Sequence, residues 1–440
     1  MKLRPGFNLF MERIRKKIAL KTIGCKLNFA ETSTIARGFE DQGFKVVDFA
    51  KIADVYIVNT CTVTANADKD CRKVVRQATR KNPGAFIAMV GCFSQLQNEK
   101  ANAIPGVNAV LGNDEKFNLI EHYRAFVNKS TELEYHSHTD KLTEFHASHS
   151  ASERTRTFLK IQDGCDYECT YCTIPLARGK SRSANIANTM QEAQEIAKTN
   201  TKEIVLTGIN TGDFGRQTNE SFIDLIKKLD TLDKIKRIRI SSIEPNLLTS
   251  EMIEFIAGSR LFVPHFHIPL QSGSNKILKD MRRRYQRELY ADRVEKIKSI
   301  IPDCCIGVDV IVGFPTETEK EFQKTNEFLK DLNISYLHVF SYSPRDNTKA
   351  LEFENVVTIN EKKQRSKILH DLSEVKQTEF HNNFIGQEKK VLFEAQHNGT
   401  IQGHTGNYIK VIAKGNKDLV NKIVSVELIE NKIEHMVGKI

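Results

Sequence analysis

Near the beginning of the chain, three short and largely apolar runs, 18–23, 55–59 and 86–90, each lead to a cysteine, in Gly24-Cys25, Thr60-Cys61 and Gly91-Cys92. Apolar runs of this length, bounded by turn residues, predict buried strands. Between them, apolar positions recur at helical spacing over 31–42 and 65–80, and Asn82-Pro83-Gly84 stops the second stretch. The order βαβαβ predicts a parallel sheet. Ligand sites in such sheets lie beyond the carboxyl ends of the strands, so Cys25, Cys61 and Cys92 are expected at one rim.

The stretch 131–154 is polar and carries His136, His138, His146 and His149. Their irregular spacing and Ser/Thr-rich flanks predict a surface linker rather than a metal-binding tract. Six further strand candidates follow, 157–161, 203–206, 237–241, 265–269, 305–312 and 336–342, separated by helical stretches. Repeated βα units predict a parallel barrel, left open because six units fall short of the usual eight. From 383 onward, short strands at 390–394, 408–412 and 422–428 surround Gly403 and Gly406 and read as a small all-β barrel. The expected fold class is α/β throughout the first two domains. The expected limits are 14–130 for the N-terminal domain, 131–153 for the linker, 154–378 for the central core and 383–440 for the C-terminal barrel.

A length of 440 residues accommodates several domains that each bury a core. No apolar run approaches the ~18 residues of a membrane span, and 1–17 lacks the apolar stretch of a signal peptide. A cytoplasmic protein without membrane partners is expected. Nine cysteines in a reducing compartment point to metal or catalytic roles rather than disulfides. The formal net charge of +10 points to a polyanionic partner. Lys69, Arg72, Lys73, Arg76, Arg80 and Lys81 form a basic helical stripe, and Arg282-Arg283-Arg284 with Arg287 form another. Either patch can neutralise phosphates or be a solvated helix face; together with an RNA-like β-barrel they favour RNA.

The most specific signal is Gly164-Cys165-Asp166-Tyr167-Glu168-Cys169-Thr170-Tyr171-Cys172, just after the first barrel strand. Three thiolates on one tight loop suit three irons of a cubane and leave a fourth open to a ligand. A zinc knuckle and buried structural thiols are the alternatives, although no fourth Cys or His follows at zinc-finger spacing. Arg178 and Arg182 follow this loop with planar forks suited to carboxylate or phosphate. Cys71, Cys304 and Cys305 read as structural thiols. Glu244 and Asp309 either contact a cofactor or pair with a neighbouring Arg.

At this loop the chain resembles the radical S-adenosylmethionine enzymes. The resemblance implies that Cys165, Cys169 and Cys172 hold a 4Fe–4S cluster whose free iron binds S-adenosylmethionine, with Tyr171 near the adenine. It narrows with Cys25 in Gly24-Cys25-Lys26-Leu27-Asn28, Cys61 in Asn59-Thr60-Cys61 and Cys92 in Gly91-Cys92. These match the positions that hold a second, auxiliary 4Fe–4S cluster in the methylthiotransferases. Pro175-Leu176-Ala177-Arg178-Gly179-Lys180-Ser181-Arg182-Ser183, Ser241-Ser242-Ile243-Glu244-Pro245, Pro269-Leu270-Gln271-Ser272-Gly273-Ser274 and Val312-Gly313-Phe314-Pro315 look like further blocks of that family. The C-terminal segment resembles its RNA-binding TRAM domain. Further cofactor contacts implied by these blocks are Gly208, Asn210, Ser242, Glu244, Gln271 and Asp309.

Thr207-Gly208-Ile209-Asn210-Thr211-Gly212-Asp213-Phe214-Gly215 is most similar to the branch that acts on N6-threonylcarbamoyladenosine beside the tRNA anticodon. The implied reaction places a methylthio group on C2, whose unactivated hydrogen no acid or base of accessible pKa removes. One S-adenosylmethionine methylates sulfur at the auxiliary cluster, and another yields the 5′-deoxyadenosyl radical. The implied partners are tRNA and an electron donor such as flavodoxin or ferredoxin. The rival readings are isopentenyladenosine as substrate, and a non-catalytic metal-binding protein that binds RNA.

Overall fold

The computed structural model describes residues 15–61, 65–129, 139, 142–150 and 155–440. The chain forms two compact units: 1–24, 32–62 and 66–137 in the first, and 25–31, 63–65 and 138–440 in the second.

The first unit is built on a parallel sheet with strands β1 (Lys17–Thr22), β2 (Lys45–Val47), β3 (Val55–Thr60), β4 (Phe86–Gly91) and β5 (Ala109–Leu111), in the order β2-β1-β3-β4-β5. Every residue of β3 and β4 is buried, as their continuous apolar runs require. The edge strands β2 and β5 were not legible, because three residues carry no period. The helix Ala65–Lys81 turns Cys71, Val74, Val75 and Ala78 into the core beside Tyr56, Val58 and Met89. The helix Lys26–Asp41 starts five residues before the expected 31, since Leu27 and Ala30 extend its buried stripe.

In the second unit, β6 (Ser148–His149) pairs antiparallel with β7 (Arg156–Lys160), and His149 sits 2.8 Å from Glu192. The polar stretch is therefore partly sheet, with His149 held against Glu192; His136 and His138 lie outside the described residues. The short strands β8 (Gln162–Asp163) and β9 (Arg182–Ser183) pair with each other. All six expected barrel strands form: β7, β10 (Glu203–Thr207), β11 (Arg237–Ile240), β12 (His265–Gln271), β13 (Cys305–Val312) and β14 (Tyr336–Ser341). They make two parallel ladders, β7-β10-β11 and β12-β13-β14, joined through bonds such as Ile243 N–H to the His267 carbonyl at 3.1 Å. A helix follows each strand, ending with the 24-residue Ile359–Asn382 held by a Thr358–Glu361 capping box. The core between strands and helices includes Leu206, Ile240, Ile268, Val308, Leu225 and Phe322.

The C-terminal segment closes into a barrel of five strands rather than the expected three: β15 (Glu388–His397), β16 (Thr400–Thr405), β17 (Lys410–Lys414), β18 (Ile423–Asn431) and β19 (Met436–Lys439). Tyr408, expected in a strand, turns with φ 66° before β17. Gly403 is required here, because a Cβ would meet the Leu392 carbonyl oxygen at 2.1 Å. The barrel is fastened to the amino ends of the core strands. Arg237 donates to the carbonyls of His404 (3.0 Å) and Lys390 (2.6 Å), Arg239 to that of Gly406 (3.1 Å), and Arg156 pairs with Glu394 (2.8 Å).

Candidate functional site

β8 hands the chain to Gly164, whose φ of 69° and approach to the Lys180 carbonyl exclude any side chain. The turn that follows brings Cys165, Cys169 and Cys172 together. Cys165 N–H donates to the Gly179 carbonyl at 3.1 Å and Cys172 N–H to the Cys169 carbonyl at 3.1 Å. Each sulfur accepts a hydrogen bond: from Tyr167 N–H to Cys165 (3.4 Å), from Arg283 Nη1 to Cys169 (3.3 Å) and from Ile174 N–H to Cys172 (3.5 Å). Burial pushes the thiols of Cys165 and Cys172 up to about 12, and that of Cys169 up as well. Three sulfurs already receiving N–H donors, yet unable to carry bare charge, fit metal ligation, where the cations take up the thiolate charge.

The Arg282–Arg284 segment, read from the sequence as a possible phosphate patch, also clamps this loop. Arg282 lies 3.4 Å from Glu168, and Arg284 stacks 4.0 Å over the Tyr167 ring and donates to the Asp166 carbonyl at 2.8 Å. The Arg283 side chain is only 4% exposed, ion-paired with Glu244 and bonded to Tyr285 Oη at 3.1 Å. Nothing in a run of arginines distinguishes a buried one from its neighbours, so this role was missed. Glu244 accordingly has an Arg partner.

Around the loop lie the ends of β10, β11 and β12. Gln162 donates to the Gly164 carbonyl (2.8 Å) and to Ser181 Oγ (2.9 Å) and accepts from Asn210 N–H (2.8 Å), tying the loop to the turn after β10. Gly208 packs against Gln162, the Ser242 carbonyl accepts from Thr211 Oγ1 at 2.5 Å, and Asn246 donates to Tyr167 Oη at 2.8 Å. Tyr171 meets Phe314 edge-on, with ring centres 6.4 Å apart. Asn210 Oδ1, Ser241 Oγ and Gln271 Oε1 are buried without a hydrogen-bond partner among the described residues. Three orphaned polar atoms at neighbouring strand ends fit a polar ligand such as S-adenosylmethionine. Asp309 stands lower, within β13, and accepts from or shares a proton with His267 Nε2 at 2.9 Å. It is not gathered with the others.

Arg178 and Arg182 do recognise carboxylates, but internal ones. Arg178 pairs with Glu31 and Asp163, each at 3.0 Å, and Arg182 with Asp163 at 3.3 Å, while Lys160 reaches Asp163 at 2.7 Å. All these groups are buried, and Asp163 immediately precedes Gly164. The network thus fixes where the cysteine loop begins.

Residues 159–329 match the model of the Radical SAM superfamily, and 17–112 match that of the Uncharacterized protein family UPF0004. The chain is 40% identical over 422 residues to the threonylcarbamoyladenosine tRNA methylthiotransferase MtaB of Bacillus subtilis (strain 168), covering 94% of both chains. It is 36% identical to the protein of that name from Aquifex aeolicus (strain VF5), covering 93% of this chain and 99% of the relative. The chain belongs to the radical S-adenosylmethionine methylthiotransferases. A tRNA-2-methylthio-N(6)-dimethylallyladenosine synthase of Endomicrobium trichonymphae is 31% identical, covering 96% and 99%. Among solved structures, the radical S-adenosylmethionine methyltransferase TsrM from Kitasatospora setae shares the fold with a TM-score of 0.57 at 13% identity, covering 77% of this chain and 74% of that one.

A 4Fe–4S cluster and S-adenosylmethionine go with this family, and the loop of Cys165, Cys169 and Cys172 offers three sulfurs that suit such a cluster. The other cysteines divide. Cys71, Cys304 and Cys305 are buried, the last two with thiols pushed upward by burial. Cys61 and Cys92 directly follow β3 and β4, and Cys25 follows β1 by three residues, all at carboxyl ends of neighbouring parallel strands. On the helix Ala65–Lys81, Lys69, Arg72, Lys73, Arg76 and Arg80 are exposed. Lys81 donates to the Ala50 carbonyl.

Proposed function

We propose that this enzyme installs a methylthio group at C2 of N6-threonylcarbamoyladenosine next to the anticodon of tRNA. The observation that carries the reading is the near full-length identity to several proteins named for that activity, at 34% to 40%, against 31% for a relative named for dimethylallyladenosine. The bound cluster and cofactor supply the radical that removes the C2 hydrogen. The protein's own part is placement: Arg283, Arg284 and Gln162 hold the cysteine loop, and the Asp163–Arg178 network anchors its start. Gly208, Asn210, Ser242, Glu244 and Gln271 are proposed as the cofactor's surroundings, with Tyr171 beside the adenine.

A second 4Fe–4S cluster is assigned to Cys25, Cys61 and Cys92. What supports it is their shared position after neighbouring strands, within the stretch that matches UPF0004. The exposed basic face of Ala65–Lys81 and the C-terminal barrel are proposed to hold tRNA phosphates. A low-potential donor such as flavodoxin or ferredoxin, and work in the cytoplasm, complete the reading. The domain limits at 130, 154 and 383 are kept as part of it. Mass spectrometry of tRNA nucleosides from cells with and without the protein tests the whole: loss of the 2-methylthio form of threonylcarbamoyladenosine is expected, and loss of the dimethylallyl form instead overturns the substrate.

A further inference from the structure

Between the core strands, the helix Ile359–Asn382 and the C-terminal barrel lies a chamber of about 410 Å³, whose border includes Lys26, His265, His267, Tyr336, His338 and Tyr408. In the layer around it, Arg239 lies 2.8 Å from Glu203 and Arg156 2.8 Å from Glu394, while His267 shares a hydrogen bond with Asp309 (2.9 Å). Lys26 is different. Among the described residues its ammonium has no carboxylate at ion-pair distance and no hydrogen-bond acceptor. It is accessible to solvent, yet Arg239, Arg156, Glu203 and Asp309 all act on it electrostatically, so it stands in the chamber and not on the outer surface. An ordinary lysine with this freedom turns outward to water.

His267 and His338 border the chamber, and their donor atoms and that of the adjoining Asp309 lie within 4.8 Å of one another. A divalent cation fits them poorly. Asp309 is already engaged by His267, and the Lys26 ammonium is close enough to act on Asp309 and His338 and would repel a second cation. An unpaired cation flanked by two imidazoles favours an anion.

We infer that Lys26, with His267 and His338 beside it, receives the carboxylate of the threonylcarbamoyl side chain and so selects an anionic N6 substituent over an uncharged one. This rests on the substrate reading given above. The levels agree with it. The cysteine loop and Gln271 are at the carboxyl rim, and His267 is four residues earlier on β12, about 13 Å below at the usual rise of a strand. On the modified base C2 and C6 flank N1, and the chain on N6 carries its carboxylate several bonds beyond that edge, so a base with C2 facing the cofactor below the rim can extend its carboxylate into the chamber. An isopentenyl group in that place would displace water from the ammonium and offer it no counter-charge, which is how such sites reject the wrong substrate.

The test uses the full-length holoenzyme and anticodon stem-loop RNA carrying threonylcarbamoyladenosine, or the same RNA with its carboxylate converted to the amide. Turnover of the first RNA by the unaltered enzyme checks the substrate reading; its failure sinks that reading and is seen before any variant is made. The unaltered enzyme is expected to show a KM about ten- to a hundredfold higher for the amide, the usual effect of losing a charged hydrogen bond. Lys26→Gln should raise KM for the acid by a similar factor and leave that for the amide unchanged, at matched iron content, and Lys26→Arg should restore part of the preference. Equal KM values for acid and amide in the unaltered enzyme overturn the proposal without reference to any variant. An equal loss on both RNAs in Lys26→Gln, or iron loss in that variant, also overturns it, since Lys26 would then act on the adjoining Cys25 and not on the substrate.

Discussion

Arg283 Nη1 lies 3.3 Å from Cys169 Sγ, while the same guanidinium is ion-paired with Glu244. One enclosed side chain thus joins a cysteine proposed to hold the radical cluster to the strand-end block that faces it. A thiolate bound to iron keeps partial negative charge, and a guanidinium donor beside it stabilises that charge.

Arg283→Met should therefore act on stability and on the cluster, and not on RNA. Removing one partner of a buried ion pair leaves Glu244 uncompensated, at a cost of about 3 kcal/mol. Denaturant unfolding measures this loss. tRNA affinity at matched salt should be unchanged; a drop as large as that of an exposed-arginine variant would return Arg283 to the RNA-binding surface.

Replacing Cys165, Cys169 and Cys172 together by Ala should halve the iron, because Cys25, Cys61 and Cys92 follow strands of a different sheet. Anaerobic reconstitution followed by iron and sulfide analysis should read about eight irons before and about four after. Complete loss would mean that the second set does not hold a cluster by itself.

Arg72, Arg76 and Arg80 are exposed on one helix. Replacing any one by Ala should weaken tRNA binding similarly for all tRNA sequences and flatten the salt dependence by about one unit of slope for each phosphate no longer neutralised. Titrations at several salt concentrations read this directly. An unchanged slope in all three variants would make the helix a solvated face.

His265 is buried beneath Tyr408, and burial, with Arg239 and His267 nearby, holds its imidazole well below the usual 6.5. Below pH 6.5 the unfolded chain takes up a proton there and the folded one does not, so stability falls as pH falls, by up to about 1.4 kcal/mol per pH unit for this one group. Unfolding free energies of the unaltered protein and His265→Asn between pH 7 and 5 should show the steeper decline in the unaltered protein. Parallel declines would mean that His265 titrates normally.

Much of this enzyme is determined by sequence alone, and the reason is locality. Short apolar runs became β3, β4 and the six barrel strands, and the spacing of Cys165, Cys169 and Cys172 already confines three sulfurs to one turn. Tertiary structure decided what depends on partners distant in the chain. The three-residue β2 and β5 exist only through their ladders, and β16 and β19 through closure of the barrel. Identical arginines separate into Arg283, turned toward Cys169 across 114 positions, and Arg282, exposed; Arg178 meets Glu31 across 147. Asp309 went to His267 and not to an arginine, and Lys26 stands in the chamber without a partner among the described residues. Which charge is paired depends on desolvation and on the few side chains that the fold brings within reach, and neither is written in the order of residues.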